Sequence, residues 1–266
     1  MNRPRLVVAL ALAAGLAAPL GAQQNPAPPT PAPPDRVVPL MTNRLRVLTS
    51  TNWVASRGAT NAAAPVSLPY AGKPDVIRAA NFIYAGSKSS VCFSGKFLSS
   101  LARESHIETD PAFTPVQLAT DGIFAFPFAV MTGEGAFALP EQERRNLASY
   151  LKRGGFLLAS AGCSSPEWDR AFRAELAKTM PDARLKKLPM NHPLFSTMYK
   201  IASIQLKHNG TTQLEALELD GRVVLIYSPE GLNDTSSVSG CCCCGGNEVR
   251  NSHEINVNIF AYAIMH

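Results

Sequence analysis

Four consecutive cysteines, Cys241, Cys242, Cys243 and Cys244, followed by Gly245 and Gly246, are four of the six cysteines in a chain of 266 residues. Thiolates coordinate soft metals and exchange with disulfides, so the run points to a redox or metal site. Its geometry restricts what it does alone. Neighbouring Cα atoms are about 3.8 Å apart, below the usual disulfide span of about 4.4–6.8 Å. A tetrahedral metal normally takes ligand pairs separated by two or more residues. Partners from elsewhere in the chain are required, and Cys92 and Cys163 are the candidates. His253 and Glu254, about ten residues beyond the run, are further candidate ligands. Six cysteines permit 15 complete pairings, between which the sequence does not choose.

Three chemistries compete for this sulfur. In the structural one, disulfides pin the run to Cys92 or Cys163, as an oxidising compartment favours. In the second, Cys92, Cys163, Cys241, Cys242, Cys243 and Cys244 supply the ligands of a soft metal: copper, zinc or an iron–sulfur centre. In the third, Cys163 is a catalytic nucleophile. The segment Ala161-Gly162-Cys163-Ser164-Ser165 joins a strand to a helix through a sharp turn, as nucleophile elbows do, although it lacks the flanking glycine pattern. A nucleophile requires a histidine within hydrogen-bond reach of Cys163. A metal or disulfide site requires Cys163 against the run or Cys92, and a purely structural role leaves Glu134 remote from the sulfur.

Gly133-Glu134-Gly135 is a second candidate, a turn whose glycines let a ligand approach the backbone and whose carboxylate is a ligand or base. With Gly162 these residues complete the expected ligand-binding set. His192, before Pro193, reads as a hydrogen-bonded turn residue, and His106, His208 and His266 carry no motif. No zinc-protease pattern, phosphate loop or Gly-x-Gly-x-x-Gly occurs.

The elements that must position these residues alternate between apolar runs and amphipathic segments, the pattern of an α/β layer fold. Strands are expected at Arg78 to Tyr84, Pro115 to Leu118, Phe124 to Met131, Phe156 to Ala159, Ile201 to Leu206 and Arg222 to Tyr227. Pro127 counts against the third. Helices are expected at Gly95 to Arg103, Leu139 to Arg153 and Pro166 to Met180, with a last one burying Ile255, Ile259 and Tyr262. Trp168, Phe172, Leu176 and Met180 recur at helical spacing, which makes Trp168 a core residue. Arg184, Lys186 and Lys187 form the notable basic cluster and read as a solvated strand edge.

Four stretches resemble the family catalogued as domain of unknown function 4159. They are Met131-Thr132-Gly133-Glu134-Gly135-Ala136-Phe137, Leu151-Lys152-Arg153-Gly154-Gly155-Phe156-Leu157-Leu158, Asn191-His192-Pro193-Leu194-Phe195 and Ile255-Asn256-Val257-Asn258-Ile259-Phe260-Ala261-Tyr262. The resemblance covers roughly residues 78–266. It implies a three-layer α/β fold with an open, mostly parallel sheet, flavodoxin-like or class I glutamine amidotransferase-like, often exported and without an established activity. Two departures stand out. Ala161-Gly162-Cys163 occupies a position commonly acidic in the family, and Glu134 one that is often histidine. Ligands of open α/β sheets gather beyond the carboxyl ends of the strands. If the strands are parallel, Cys92, Glu134, Cys163 and the four-cysteine run all leave along one edge.

The amino terminus sets the compartment. Arg3 and Arg5 precede an apolar stretch from Leu6 to Leu20 ending in Gly21 and Ala22, which reads as a signal peptide (1–22) cleaved near Ala22, too short for a membrane span. The chain is therefore expected in a periplasmic or extracellular location, with no membrane span once the signal is removed. Residues 23–39 form a proline-rich linker, and 40–266 a single α/β domain. The formal charge is +5, and loss of Arg3 and Arg5 leaves 23 basic against 20 acidic side chains, a balance that gives no case for nucleic acid. The expected role is a binding or assembly module for a protein or small-molecule partner. The alternative is an enzyme, either a thiol hydrolase or amidotransferase-like protein acting through Cys163 or a metal-dependent redox protein.

Overall fold

The computed structural model describes residues 76–105, 107–233 and 248–266. The expected signal peptide, the linker, residues 40–75 and His106 lie outside the described residues, as do all four cysteines of the run, Cys241, Cys242, Cys243 and Cys244. Among those described, nine strands follow in chain order: β1 (Ala79–Ile83), β2 (Thr114–Gln117), β3 (Phe128–Gly133), β4 (Phe156–Ala161), β5 (Lys186–Lys187), β6 (Ile204–Gln205), β7 (Thr211–Thr212), β8 (Glu215–Leu219) and β9 (Arg222–Ser228). The helices are α1 (Lys96–Glu104), α2 (Glu141–Lys152), α3 (Pro166–Thr179) and α4 (Ser252–Met265).

Seven strands make one open sheet in the order β2-β1-β3-β4-β9-β8-β5. The five from β2 to β9 are mutually parallel, and β8 and β5 extend the sheet antiparallel. The central strands β3, β4 and β9 are buried along nearly their whole length, as strands covered on both faces must be. Alternation along them divides the core. Phe128, Val130, Phe156, Leu158 and Ile226 face α1 and α4, whereas Ala129, Met131, Leu157, Ala159 and Tyr227 face α2 and α3. The product is a layer of helices on each side of the sheet.

Local chemistry accounts for the boundaries. In α3, Ser165 caps the first turn by accepting from the Trp168 N–H at 3.3 Å, with Pro166 at the first helical position. Helix α2 starts beside Glu141 and Glu143 and ends at Lys152, charges that complement the helix dipole. The basic pair Lys186 and Lys187 is the exposed edge strand β5, as its composition suggests.

Two expectations need correction, and one strand is additional. The strand expected over Phe124 to Met131 begins only at Phe128. Asp121–Ala125 form a 3-10 turn, and Pro127, which has no N–H for the ladder, stands at the junction. Ile201 to Leu206 does not join the main sheet: only Ile204–Gln205 are extended, paired with Thr211–Thr212 in a separate ribbon. Their apolar side chains dock on the α1/α4 core without ladder bonds to it. Strand β8 was not anticipated. It is one arm of a hairpin turning at Asp220 (φ 51°) and Gly221 (φ 76°), both in the left-handed region that tight hairpins require.

Candidate functional site

Parallel pairing of β1, β3, β4 and β9 brings the loops after all four strands to one edge of the sheet. The loop after β1 is tied down first. Ser90 Oγ accepts from the Thr132 N–H at 2.8 Å, Asn81 Oδ1 accepts from the Ser90 N–H at 3.1 Å, and Lys88 Nζ donates to the Glu134 carbonyl at 3.1 Å. Cys92, half-buried, follows two residues beyond Ser90 on this loop.

The glycines of the β3 and β4 loops are there for closeness. A Cβ at Gly133 would stand 2.3 Å from the Tyr84 hydroxyl and 3.0 Å from Trp168 Nε1, and one at Gly162 would stand 2.9 Å from the Gly133 carbonyl oxygen. The two loops therefore touch backbone to backbone, leaving no room for a side chain between them. Beneath Gly133, Tyr84 donates its hydroxyl to the Thr132 carbonyl at 2.9 Å and accepts from Trp168 Nε1 at 2.7 Å. Burial pushes the Tyr84 phenol up to about 12, with the Trp168 hydrogen bond opposing it.

Cys163 sits between these loops, 8% exposed. Its φ of 51° and the φ of 53° at Ser164 put two successive non-glycine residues in the left-handed region, a strain of roughly 1–3 kcal/mol each that surrounding bonds must offset. Those bonds are present. The Ser165 N–H donates to the Gly162 carbonyl at 3.0 Å, the Gly135 N–H to Ser165 Oγ at 3.1 Å, and the Gly231 N–H to Ser164 Oγ at 3.3 Å. The turn places Cys163 Sγ 2.9 Å from Oε1 of Glu134, an exposed residue at the rim. Glu134 is therefore not remote from the sulfur.

On the far side of Cys163 the chain passes Gly231. A Cβ there would lie 3.3 Å from the Cys163 amide nitrogen and 3.0 Å from Glu248 Cγ. The Val249 N–H donates to the Gly231 carbonyl at 2.9 Å, so the residues flanking segment 234–247 are fastened together beside Cys163. Glu248 is fully buried and paired through Oε2 with Lys207 Nζ, while its Oε1 has no hydrogen-bond partner among the described residues.

Just below these loops, on the α1/α4 face, the apolar row Val130, Leu158 and Ile226 gives way to a row of hydroxyls. Thr132 pairs with Ser160 and Ser160 with Ser228, all three at most 2% exposed. Asn256 of α4 donates Nδ2 to the Leu232 carbonyl at 3.0 Å.

Of the residues expected from sequence, Gly133, Glu134, Gly162 and Cys163 meet at this edge. Gly135 turns the loop beside them at a φ of 67°, and Cys92 lies on the adjoining loop. His253 stands in the first turn of α4 and is partly exposed. Among the described residues no group of three or more His, Cys, Asp or Glu side chains is arranged to hold a metal. The remaining members of the expected ligand set, Cys241, Cys242, Cys243 and Cys244, lie outside those residues. The described part of the set, Cys92, Cys163 and His253, thus makes no metal cluster by itself. Trp168 is fully buried core. His192 Nδ1 accepts from the Leu194 N–H at 3.2 Å in its turn, and burial holds its imidazole below the usual histidine range against the opposing Glu218 carboxylate. Glu248, Ser160 and Asn256 were missed. For Ser160 a signal existed, a hydroxyl ending an otherwise apolar strand.

An open, mostly parallel α/β sheet with its candidate site at the carboxyl edge defines the class of protein. Within that class, residues 90–264 match the family described as domain of unknown function (DUF4159), and the chain belongs to that family. A search of curated proteins gives no match. Among the described residues no helix is long and apolar enough to cross a membrane.

Proposed function

We propose that this chain is an exported binding or assembly module with a flavodoxin-like fold, whose ligand site is the carboxyl edge of the sheet. In this reading Cys92 and Cys163, both disulfide-bonded, take their partners from the run Cys241, Cys242, Cys243 and Cys244. The observation that carries it is the placement of Cys163, 2.9 Å from Glu134 and beside Gly231 and Glu248, where segment 234–247 leaves and returns. Chain length supports the linkage. Cys244 is four residues from Glu248, which keeps its Cα within about 14 Å of that residue. The five parallel strands follow the flavodoxin-like order 2-1-3-4-5, which puts the reversal point between β1 and β3, where ligands of such sheets bind. Val91, 76% exposed beside Cys92, gives a partner an apolar contact at the rim. Export rests on residues 1–22.

The enzyme reading draws on one feature, the left-handed turn at Cys163 between β4 and α3, which resembles a nucleophile elbow. A carboxylate rather than an imidazole faces the sulfur there, and a carboxylate disfavours the negative charge a nucleophile must carry. A soft-metal site would recruit the same cysteines.

Intact mass spectrometry of protein purified from its exported location, with thiol labelling under native and denaturing conditions, separates these readings. A mass at least four hydrogens below the all-thiol value, with Cys92 and Cys163 unlabelled, is the expected result. Metal retained natively with labelled thiols after denaturation would replace the disulfides by coordination. Selective native labelling of Cys163 would favour the nucleophile.

A further inference from the structure

Four buried oxygens near the cysteine edge have no hydrogen-bond partner among the described residues: Ser160 Oγ, Asn233 Oδ1, Glu248 Oε1 and Asn256 Oδ1. Their residues are 0–5% exposed. A buried polar atom left unpaired costs on the order of 1–3 kcal/mol, so each of the four calls for a partner that the described residues do not supply.

The neighbourhood is set by contacts already described. Asn256 binds the Leu232 carbonyl, Glu248 packs on Gly231, and Asn233 follows Leu232 in the chain. Ser160 stands in the hydroxyl row on the face that α4 covers, paired in register with Ser228, whose own hydroxyl donates to the Glu230 carbonyl at 2.6 Å. Two of the side chains cannot simply turn away. Donation from Nδ2 to Leu232 fixes which end of the Asn256 amide carries the open oxygen, and the Lys207 pair fixes one oxygen of Glu248. Two residues along the same helix, Asn258 shows what a structural asparagine does: Oδ1 accepts from the Met198 and Tyr199 N–H groups and Nδ2 donates to the Tyr199 carbonyl.

We propose that Ser160, Asn233, Glu248 and Asn256 form a binding site for a singly charged hard cation, independent of the cysteine chemistry. Oxygens alone, with neither thiol nor imidazole, select a hard ion. The charge of that ion follows from the surroundings. The single carboxylate is already paired with Lys207, so a monovalent ion leaves one net positive charge in a buried place and a divalent ion leaves two.

The test uses the full mature chain dialysed into choline chloride, with thermal unfolding followed as sodium, potassium, calcium or magnesium replaces choline at constant ionic strength. A ligand that binds only the folded state raises the midpoint in a saturable way. Sodium or potassium should raise it by about 2–4 °C or more at saturation. Ser160→Ala and Asn233→Ala should be at least as stable as the parent chain in choline and lose most of that rise. Equal midpoints in all salts would overturn the proposal. So would a rise produced only by the divalent ions, or an undiminished rise in both variants.

Discussion

The two faces of the sheet end differently at the same edge. On the α2/α3 face the buried polar side chains of the described residues have partners. Tyr84, Trp168 and the Thr132 carbonyl form a closed chain, and Tyr227 donates to Asp169 at 2.5 Å, which also accepts from Arg173 at 2.8 Å. Trp168, Phe172 and Tyr227 stack within 4.7–6.3 Å of one another. On the α1/α4 face, at the level of Thr132, Ser160 and Ser228, the core turns to hydroxyls and unpaired oxygens. A satisfied aromatic network rigidifies and an unsatisfied polar one waits for something. The first face is the wall on which the Cys163 turn is built, and the second carries the oxygens of the proposed cation site.

The contrast can be broken most sharply from the closed face. Trp168→Ala removes the centre of the stack and is expected to cost about 3–5 kcal/mol, read in urea melts. It should also release the Cys163 turn, because Ser165 caps the helix that Trp168 holds down. Tyr84→Phe keeps the ring but strands Trp168 Nε1, at a cost of about 1–3 kcal/mol. Tyr84 also gives the closed face a pH signature. Its folded-state value of about 12 exceeds the unfolded value of about 10, so its contribution is intact below pH 10 and is lost as pH rises through 12. The wild-type midpoint should fall over that interval, and Tyr84→Phe should fall less steeply.

Smaller effects belong to the open side. A thiolate reductant approaching Cys163 meets the Glu134 carboxylate, a repulsion of about 1 kcal/mol at 4 Å in water. Glu134→Gln should therefore speed reduction by dithiothreitol roughly fivefold at low salt and less at high salt, as stopped-time alkylation would show. An unchanged rate would place the attacked sulfur away from Glu134. The last effect is of opposite sign: Ser160→Ala in choline removes a buried hydroxyl with no partner among the described residues, so it should leave stability unchanged or raise it, where loss of a bonded buried serine would lower it.

Most of this arrangement was legible in the sequence wherever periodicity met punctuation. Apolar runs ending in glycine gave β3 and β4 and their edge, and the i, i+4 spacing of Trp168 and Phe172 gave the buried stack. The proline that shortened β3 was visible as well, although a continuous apolar run overrode it. Strand β8 was hidden because Glu215-Ala216-Leu217-Glu218-Leu219 is built of good helix formers, and its identity comes from the Asp220-Gly221 turn and the pairing with β9. Glu248 and Asn256 were illegible for a different reason. Glu248 sits in a local context without a motif, Asn256 in a family-like stretch that gives it no role of its own, and their significance lies in long-range contacts, with Lys207 and Gly231 for one and Leu232 for the other. Cys163 was legible as a turn residue, yet its closeness to Glu134 required the loops of two parallel strands to be in contact.

The most direct test of a carboxyl edge closed by sulfur is peptide mapping of the exported protein, alkylated before unfolding and digested without reductant. Cys92 and Cys163 should each be recovered in a peptide cross-linked to the one containing Cys241, Cys242, Cys243 and Cys244, and reduction should split them. Recovery of both as alkylated single peptides, from protein that is folded by circular dichroism, would contradict the closure.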